Sequence, residues 1–227
     1  NPEQLVDDTV EFVTEANSFT KEDWIEGHQF RWLIIFGHYL GSLQFIARGL
    51  KKIYSIGYKE FYTKLLVEAQ ENSKTYLGKE YLNIRNNLDE ILKNKRHWGD
   101  VIKEAGDINW EVDEASCIRL TKNKDTFYKE LKDYLIQEYA FIDMNVLDTL
   151  FKYQLCRLHN PFKKYPFSKG FKYNIHDVIE LDKKLEKKNN KLLFNGKNFN
   201  SNLYEWAKET LWFGRRIARY KTKVTIL

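Results

Sequence analysis

Cysteine is scarce in this chain, which has two such residues, Cys117 and Cys156, among 227. Two thiols 39 positions apart do not form the framework of a disulfide-stabilised domain. They also cannot supply the thiolates of a structural zinc site, and the five histidines show no metal-ligand spacing. We therefore predict two reduced, buried thiols and no metal site in this chain.

Proline is equally rare, and long apolar runs are absent. The three prolines are Pro2, Pro161 and Pro166, so residues 3–160 contain no helix-breaking ring. The longest strongly apolar run, residues 32–36, is far shorter than the roughly 20 residues that span a bilayer. With 30% charged residues, the sequence predicts an extended helical array, no membrane span and a cytoplasmic location.

Aromatic residues are abundant by contrast, and the most informative stretch runs from Thr14 to Gly41. Within it, Thr20 followed by Asp23 forms a capping-box pattern, which predicts a helix start. The run at 33–36 then makes the pattern apolar almost all round. We therefore expect a central, largely buried helix here.

The periodicity of the whole chain predicts a mainly α fold, an irregular multi-helix array with a few short strands at the N- and C-terminal ends. Further helices are predicted at 59–70, 74–95, 125–139, 145–158 and 201–218, and strands at 9–13, 167–173, 191–194 and 222–227. The piece 108–120 combines a strand-like alternation with an acidic turn typical of a helix start. Both interpretations of that piece stay open.

The chain divides into three parts. Residues 1–19 are predicted to form an N-terminal strand and turn, which could be the end of an upstream barrel domain. Residues 20–160 are predicted to form a helical domain, and residues 161–227 a basic C-terminal subdomain packed on it.

The charge is unevenly distributed along the chain. From 157 onward there are 17 Lys and Arg against 6 Asp and Glu, a net charge of +11, whereas residues 1–156 carry a net charge of −6. Such a split suits an anionic ligand, nucleic acid or a lipid surface, or a basic part that packs beside the acidic remainder, which is our default interpretation.

Two features bear on anionic partners. The tryptophans lie at helical spacing among Leu, Ile and Phe, which indicates core packing rather than base stacking and argues against nucleic acid. Arg215 and Arg216 follow an aromatic residue and a glycine, so their two guanidiniums could bind a phosphate or carboxylate bidentately. Cations at a helix C-terminus also satisfy the helix dipole, and the two interpretations carry equal weight.

Candidate substrate contacts lie near the start of the central helix. Glu15 and Asn17 directly follow the first predicted strand, and ligands bind at the C-terminal ends of barrel strands. The alternative is that Glu15 lies on the solvent side of an edge strand and Asn17 in a turn. His28 and Arg31 could line a cleft and contact an anionic or hydroxyl-rich substrate, or His28 could be a satisfied structural group.

The order of residues in this region is similar to the segment C-terminal to the catalytic barrel in cobalamin-binding radical S-adenosylmethionine proteins. Those proteins show a strand ending in Thr-x-x-Asn-Ser/Thr, then Thr/Ser-x-Glu-Asp-Trp, then a Phe-x-Trp-Leu helix with a late histidine. The matching residues are Thr14, Asn17, Ser18, Thr20, Glu22, Asp23, Trp24, Phe30, Trp32, Leu33 and His38. The similarity extends over nearly the whole chain, although none of its pieces is a chemical motif.

The resemblance implies a C-terminal accessory domain of a cobalamin-dependent, methyltransferase-like radical S-adenosylmethionine enzyme, which closes the barrel and shapes the substrate site. His38 joins the substrate-contact candidates on this basis. The full-length protein would hold S-adenosylmethionine, an iron–sulfur cluster and cobalamin in upstream barrel and cobalamin domains, and would act on a small-molecule, sugar or lipid substrate.

The reactive parts of that family are absent from these 227 residues. A three-cysteine cluster motif and a cobalamin-ligand segment are both missing, so no catalytic residue is assigned to this chain. One alternative is a free-standing helical module that binds an anionic ligand through its basic C-terminal third. Another is a purely structural interaction domain.

Overall fold

The computed structural model describes residues 13–93, 99–212 and 222–227. Its α-helices are α1 (Lys21–Ile34), α2 (Gln44–Tyr54), α3 (Tyr58–Glu71), α4 (Tyr76–Leu92), α5 (Val112–Glu138), α6 (Met144–Arg157), α7 (Ile175–Leu181) and α8 (Leu203–Ala207). Two π-helical turns extend α1 and α8, at Ile35–Tyr39 and Lys208–Trp212. The predicted mainly α fold is confirmed. The predicted strand at 9–13, apart from Val13, and the last third of the predicted helix at 201–218 lie outside the described residues.

The strands form two small antiparallel sheets. Strands β1 (Asp100–Val101) and β2 (Asn109–Trp110) make a short hairpin, while β3 (Phe167–Phe171), β4 (Asn190–Asn195) and β5 (Lys223–Ile226) form a sheet in the order β3-β4-β5. In its register Phe167 lies opposite Phe194, and Leu192 lies opposite Ile226. These three strands confirm the predicted C-terminal strands, with bounds shifted by one or two residues.

Helix α1 begins at the predicted capping box. The backbone N–H of Thr20 donates to Asp23 Oδ2 at 2.7 Å, and the N–H of Asp23 donates to Thr20 Oγ1 at 3.1 Å. Farther along, Trp32, Leu33 and Phe36 have no exposed surface. The indole of Trp32 donates to Ser116 Oγ in α5 at 3.0 Å, so even the polar atom of this ring has a buried partner. The prediction of a central, largely buried helix is confirmed.

Three elements differ from the predictions. Helix α5 is one helix of 27 residues that joins the ambiguous piece 108–120 to the predicted helix 125–139. Of the four polar residues between them, Lys122, Asn123 and Lys124 are exposed or half-buried and Thr121 is buried, so they mark a surface of the helix rather than a break. Helix α7 was not predicted, because seven residues are too few for a periodic pattern. The β1–β2 hairpin lies in the middle of the chain, where only helices and the ambiguous piece were expected.

A buried ionic network ties this hairpin to the helices. The guanidinium of Arg119 binds both carboxylate oxygens of Glu80 at 2.7 Å and Asp100 Oδ2 at 2.9 Å. Ser116 Oγ also donates to Glu80 at 2.7 Å and accepts from Trp32. Since each charge is paired, the network fixes α4, α5 and β1 relative to one another and to α1.

The C-terminal part packs on the helical part through α7, which contacts α2 and α6, and through α8, which contacts α5. Among the described residues, three ion pairs join the two parts, and each takes its cation from residues 20–160. Arg48 Nη1 lies 3.2 Å from Glu180 Oε2, Arg157 Nη1 lies 2.7 Å from Glu180 Oε1, and Lys52 pairs with Asp182. In all three pairs the carboxylate belongs to the C-terminal part.

No single helix in the described ranges has both the length and the apolar composition of a membrane span. The segment Lys21–Tyr39 and helix α2 meet those criteria only as a pair, and they bend by 85° at the break between them. Both members of the pair bury residues in the core.

Candidate functional site

A cavity of about 230 Å³ lies between the two π-helical turns. Its other walls are the residues just before α2 and its first turn, the N-terminal half of α5, the end of α6 with the residues that follow it, Trp206 of α8, and Thr222. One water needs only about 10–15 Å³ on this measure, so the cavity has room for a small organic molecule. Single π-helical turns occur frequently at functional sites, and here two of them line one cavity. We therefore take this cavity as the candidate site.

A buried glutamine holds the loop that forms one wall. Gln154 of α6 accepts from the backbone N–H of Phe45 at 2.9 Å and donates to the carbonyl of Gly41 at 2.7 Å. Helix α2 has no side-chain cap from its own flanking residue Leu43. Gln154 has no exposed surface and caps the start of α2 from the core. Its bond to the carbonyl of Gly41 holds this residue, whose φ is 92°, in the loop before α2.

His38 lies in the first π-helical turn and lines the cavity, with its Nδ1 3.1 Å from Tyr62 Oη. Burial, and then the charge of Arg48, lowers the pKa of His38, so the ring is neutral at pH 7. Burial raises the pKa of Tyr62, so the phenol keeps its proton and donates it to Nδ1. The opposite assignment would leave a buried O–H unpaired. The proton of the neutral ring is therefore on Nε2, and His38 offers an N–H donor there.

His159 follows α6 and also lines the cavity, but both of its nitrogens are occupied. Its Nδ1 accepts from the indole N–H of Trp206 at 3.1 Å, and its Nε2 lies 3.1 Å from the carbonyl oxygen of Lys197. Because an indole only donates, Nε2 carries the proton. Burial lowers the pKa of His159 to about 4. This histidine is a neutral, oriented wall that joins α6 to α8.

Arg157 is the cationic residue of the cavity wall. Its Nη1 donates to Tyr153 Oη at 2.9 Å and to Glu180 Oε1 at 2.7 Å, and its guanidinium carbon lies 4.2 Å from the ring centre of Phe45. Arg48 shares the same Glu180. The two arginines hold the pKa of Glu180 below its ordinary value despite its partial burial, so that carboxylate stays charged. Hydrogen bonds to Tyr153 and Glu180 therefore hold one edge of the Arg157 guanidinium, and the ring of Phe45 covers its face.

The cavity contains groups that bind rather than groups that react. Burial raises the pKa of Cys117, so its thiol is protonated, with Sγ 3.6 Å from Ser42 Oγ. Of the described residues that line the cavity, none is acidic. A neutral thiol, a neutral N–H donor and a fixed guanidinium can position a ligand, but they do not make a nucleophile with its base.

The described residues do not offer a site for the iron–sulfur cluster or the cobalamin of the family that the sequence resembles. Cys117 and Cys156 are separately buried and unpaired, and no group of three potential metal ligands occurs in the described ranges. An iron–sulfur cluster needs more thiolates than this chain has. The prediction of two buried thiols is confirmed.

The other predicted substrate contacts lie outside the cavity wall. Glu15 is exposed and pairs with Lys21 at 3.6 Å, and Asn17 is exposed in the turn before α1. His28 is half-buried, its ring centre 4.2 Å from that of Trp24, and burial followed by the charge of Arg31 lowers its pKa. Arg31 is exposed on α1. The structure thus places His38 in the cavity and the other four residues on α1 or the turn before it.

Arg215 and Arg216 lie outside the described residues. Sequence reasoning did not single out Arg157, Glu180 or the capping role of Gln154. These side chains come into contact only because α2, α6 and α7 pack against one another. The spacing of residues along the sequence does not predict such long-range packing. Tyr153 and Gln154 lie within the part of the chain that resembles the radical S-adenosylmethionine family, and this resemblance is the sequence signal that could have pointed to them.

No family model matches the chain. It is 25% identical over 140 residues to the cobalamin-dependent radical SAM methyltransferase TokK of Streptomyces tokunonensis. It is 21% identical over 140 residues to the 2-(S-pantetheinyl)-carbapenam-3-carboxylate methyltransferase of Streptantibioticus cattleyicolor. Each alignment covers 56% of this chain and 21% of the relative.

These matches indicate a distant relationship to cobalamin-dependent radical S-adenosylmethionine methyltransferases. The matching part of the chain spans about a fifth of the length of each relative.

Proposed function

We propose that this chain is the C-terminal accessory domain of a cobalamin-dependent, methyltransferase-like radical S-adenosylmethionine enzyme. The observation that carries the proposal is the match to two such methyltransferases, each more than four times longer than the matched segment. The capping box that begins α1 supports it further, since Thr20 and Asp23 belong to the pattern through which the chain resembles that family.

In this proposal the domain binds and positions part of the substrate. The cavity between the π-helical turns offers a guanidinium, a neutral N–H donor and apolar walls, which orient a small molecule without reacting with it. Glu15, Asn17, His28 and Arg31 lie on the α1 side of the domain, and we assign that side to the contact with the upstream barrel and its substrate site.

The chemistry comes from upstream domains. A cluster-bound S-adenosylmethionine supplies the radical and cobalamin supplies the methyl group in such enzymes, and the residues of this chain hold neither group. What this domain contributes is substrate position, exclusion of water and closure of the barrel. Its loss should therefore affect methylation much more than cofactor content.

The experiment compares two variants of the longer natural protein with matched chemistry. Leu211→Trp fills the cavity from the second π-helical turn, whereas Leu82→Trp makes the same change on the exposed side of α4. The measurement is transfer of isotope from the methyl group of S-adenosylmethionine to the small-molecule extract of the producing cells. Iron content, cobalamin content and cleavage of S-adenosylmethionine without substrate are measured alongside.

We expect Leu211→Trp to lower label transfer at least tenfold while iron, cobalamin and uncoupled cleavage stay at the level of Leu82→Trp. Equal label transfer in the two variants, with both proteins folded, would contradict a substrate role for the cavity. A longer protein without a Cys-x-x-x-Cys-x-x-Cys motif upstream of Asn1 would contradict the proposed function as a whole.

A further inference from the structure

Two guanidiniums share one carboxylate beside the cavity. Arg48 Nη1 lies 3.2 Å from Glu180 Oε2, and Arg157 Nη1 lies 2.7 Å from Glu180 Oε1. Arg48 also donates from Nη2 to the carbonyl of Ile179 at 2.6 Å, and Tyr153 Oη, which accepts from Arg157, is neutral. Two positive charges against one negative charge leave this triad with a surplus of +1. All three side chains are at most one quarter exposed, so solvent screens that surplus only in part.

The surplus charge is presented by Arg157, the member of the triad that lines the cavity. Its hydrogen bonds to Tyr153 and Glu180 both use Nη1. Among the described residues neither its Nε nor its Nη2 has a hydrogen-bond partner, but Nε is completely buried and out of reach of a ligand. Nη2 is therefore the donor that Arg157 can offer, and an N–H of a guanidinium matches a carboxylate oxygen. Stacking on Phe45 fixes the plane in which that match is made.

The rest of the cavity limits what an anionic ligand can be. Apolar side chains make up much of the lining, with Leu120, Leu158 and Leu211 among the walls. His38 adds one neutral N–H donor. No acidic residue occurs among the described lining residues, so nothing there opposes an anion. A single surplus charge and mostly apolar walls favour a monoanion with an apolar body over a phosphate dianion or a polyanion.

We infer that this cavity binds a small monocarboxylate with an apolar or aromatic body, whose carboxylate accepts a hydrogen bond from Nη2 of Arg157. The inference rests on the proposed function in so far as this ligand is the substrate or part of it. Binding itself needs no cofactor, and it can be measured on the full chain without any turnover. A failure of binding is therefore distinct from a failure of the proposed function.

The first test changes the ligand and leaves the protein intact. Phenylacetate is the probe, and phenylacetamide is its neutral counterpart of the same shape; binding is followed by NMR titration of the full chain. We expect saturable binding of phenylacetate that perturbs residues of the cavity wall, and at least tenfold weaker binding of phenylacetamide. A factor of ten corresponds to about 1.4 kcal/mol. Equal affinity for the two probes, or no saturable binding of phenylacetate, would overturn the inference.

The second test removes the surplus charge without altering the cavity wall. Arg48→Gln leaves Arg157 and Glu180 as a neutral pair, and Arg85→Gln is the control because it removes one charge from an exposed pair with Glu22. We expect Arg48→Gln to weaken phenylacetate binding several-fold and Arg85→Gln to leave it unchanged. Equal losses in the two variants would show a bulk charge effect and contradict the inference.

The third test addresses the guanidinium directly. Arg157→Lys keeps the charge but removes the planar guanidinium and its Nη2 donor, so phenylacetate binding should fall at least tenfold while the melting temperature reports whether the fold survives. Unchanged binding in a folded Arg157→Lys protein would contradict the assigned carboxylate position. If that variant unfolds, the comparison of the two probes still decides the inference.

Discussion

Replacing Gln154 by leucine tests how the cavity wall is held. The change keeps a side chain of similar volume but leaves the N–H of Phe45 and the carbonyl of Gly41 without their buried partner. An unsatisfied buried backbone group costs about 1–3 kcal/mol, so two of them give a predicted loss of about 2–6 kcal/mol in the free energy of unfolding. The N–H of Ile46, at 3.4 Å from the same oxygen, adds to that loss.

The loss is measured by denaturant unfolding at equilibrium, with thermal melting as a second readout. In a chain of this size 1 kcal/mol corresponds to about 2–4 °C, so the melting temperature should fall by at least about 4 °C. The matched control is Gln137→Leu, on the exposed face of α5, which should change stability by less than about 0.5 kcal/mol. If Gln154→Leu were as stable as this control, the loop would not depend on Gln154 and our account of the wall would be wrong.

Three further predictions concern the core, pH and the basic C-terminal part. Trp32→Ala should destabilise the chain by about 3–5 kcal/mol in denaturant unfolding, because a fully buried ring and its bond to Ser116 are lost; an unchanged melting temperature would contradict the central position of α1. The pKa of His159 is lowered to about 4 in the folded chain from its ordinary 6.5, so the unfolded chain binds the extra proton first. Stability should therefore be fully present above pH 6.5 and fall by up to about 3 kcal/mol towards pH 4, and His159→Asn should flatten that dependence; an unaltered pH profile would refute it. Retention on a nucleic acid column should be weak at physiological salt and nearly unchanged by Arg215→Ala with Arg216→Ala, whereas sub-micromolar binding lost in that variant would support the anionic-ligand module instead.

Local signals in the sequence were sufficient for most of the helices. Capping by Thr20 and Asp23, and the apolar pattern that follows, depend on residues within a few positions of one another, and both are confirmed. The sequence did not predict α5 as one continuous helix, because its exposed polar residues resemble a linker when the helices that pack against it are unknown. It also missed α7, whose seven residues are held by packing on α2 and α6.

The cavity could not be derived in the same way. Its cation, Arg157, its shared carboxylate, Glu180, and the second arginine, Arg48, are up to 132 positions apart. Only the packing of α2, α6 and α7 brings them together. His38 was chosen through the family-like pattern, and the structure places it in the cavity wall, but its role as a substrate contact remains a prediction.

The most direct test of the central claim is the iron content and S-adenosylmethionine cleavage of the longer natural protein, purified without oxygen. The account predicts an iron–sulfur cluster in the upstream domains and formation of 5′-deoxyadenosine under reducing conditions. It also predicts that alanine replacement of one upstream cluster cysteine abolishes both, whereas Cys117→Ala and Cys156→Ala leave both unchanged. A natural protein that contains no iron and does not cleave S-adenosylmethionine would contradict the assignment of this chain to such an enzyme.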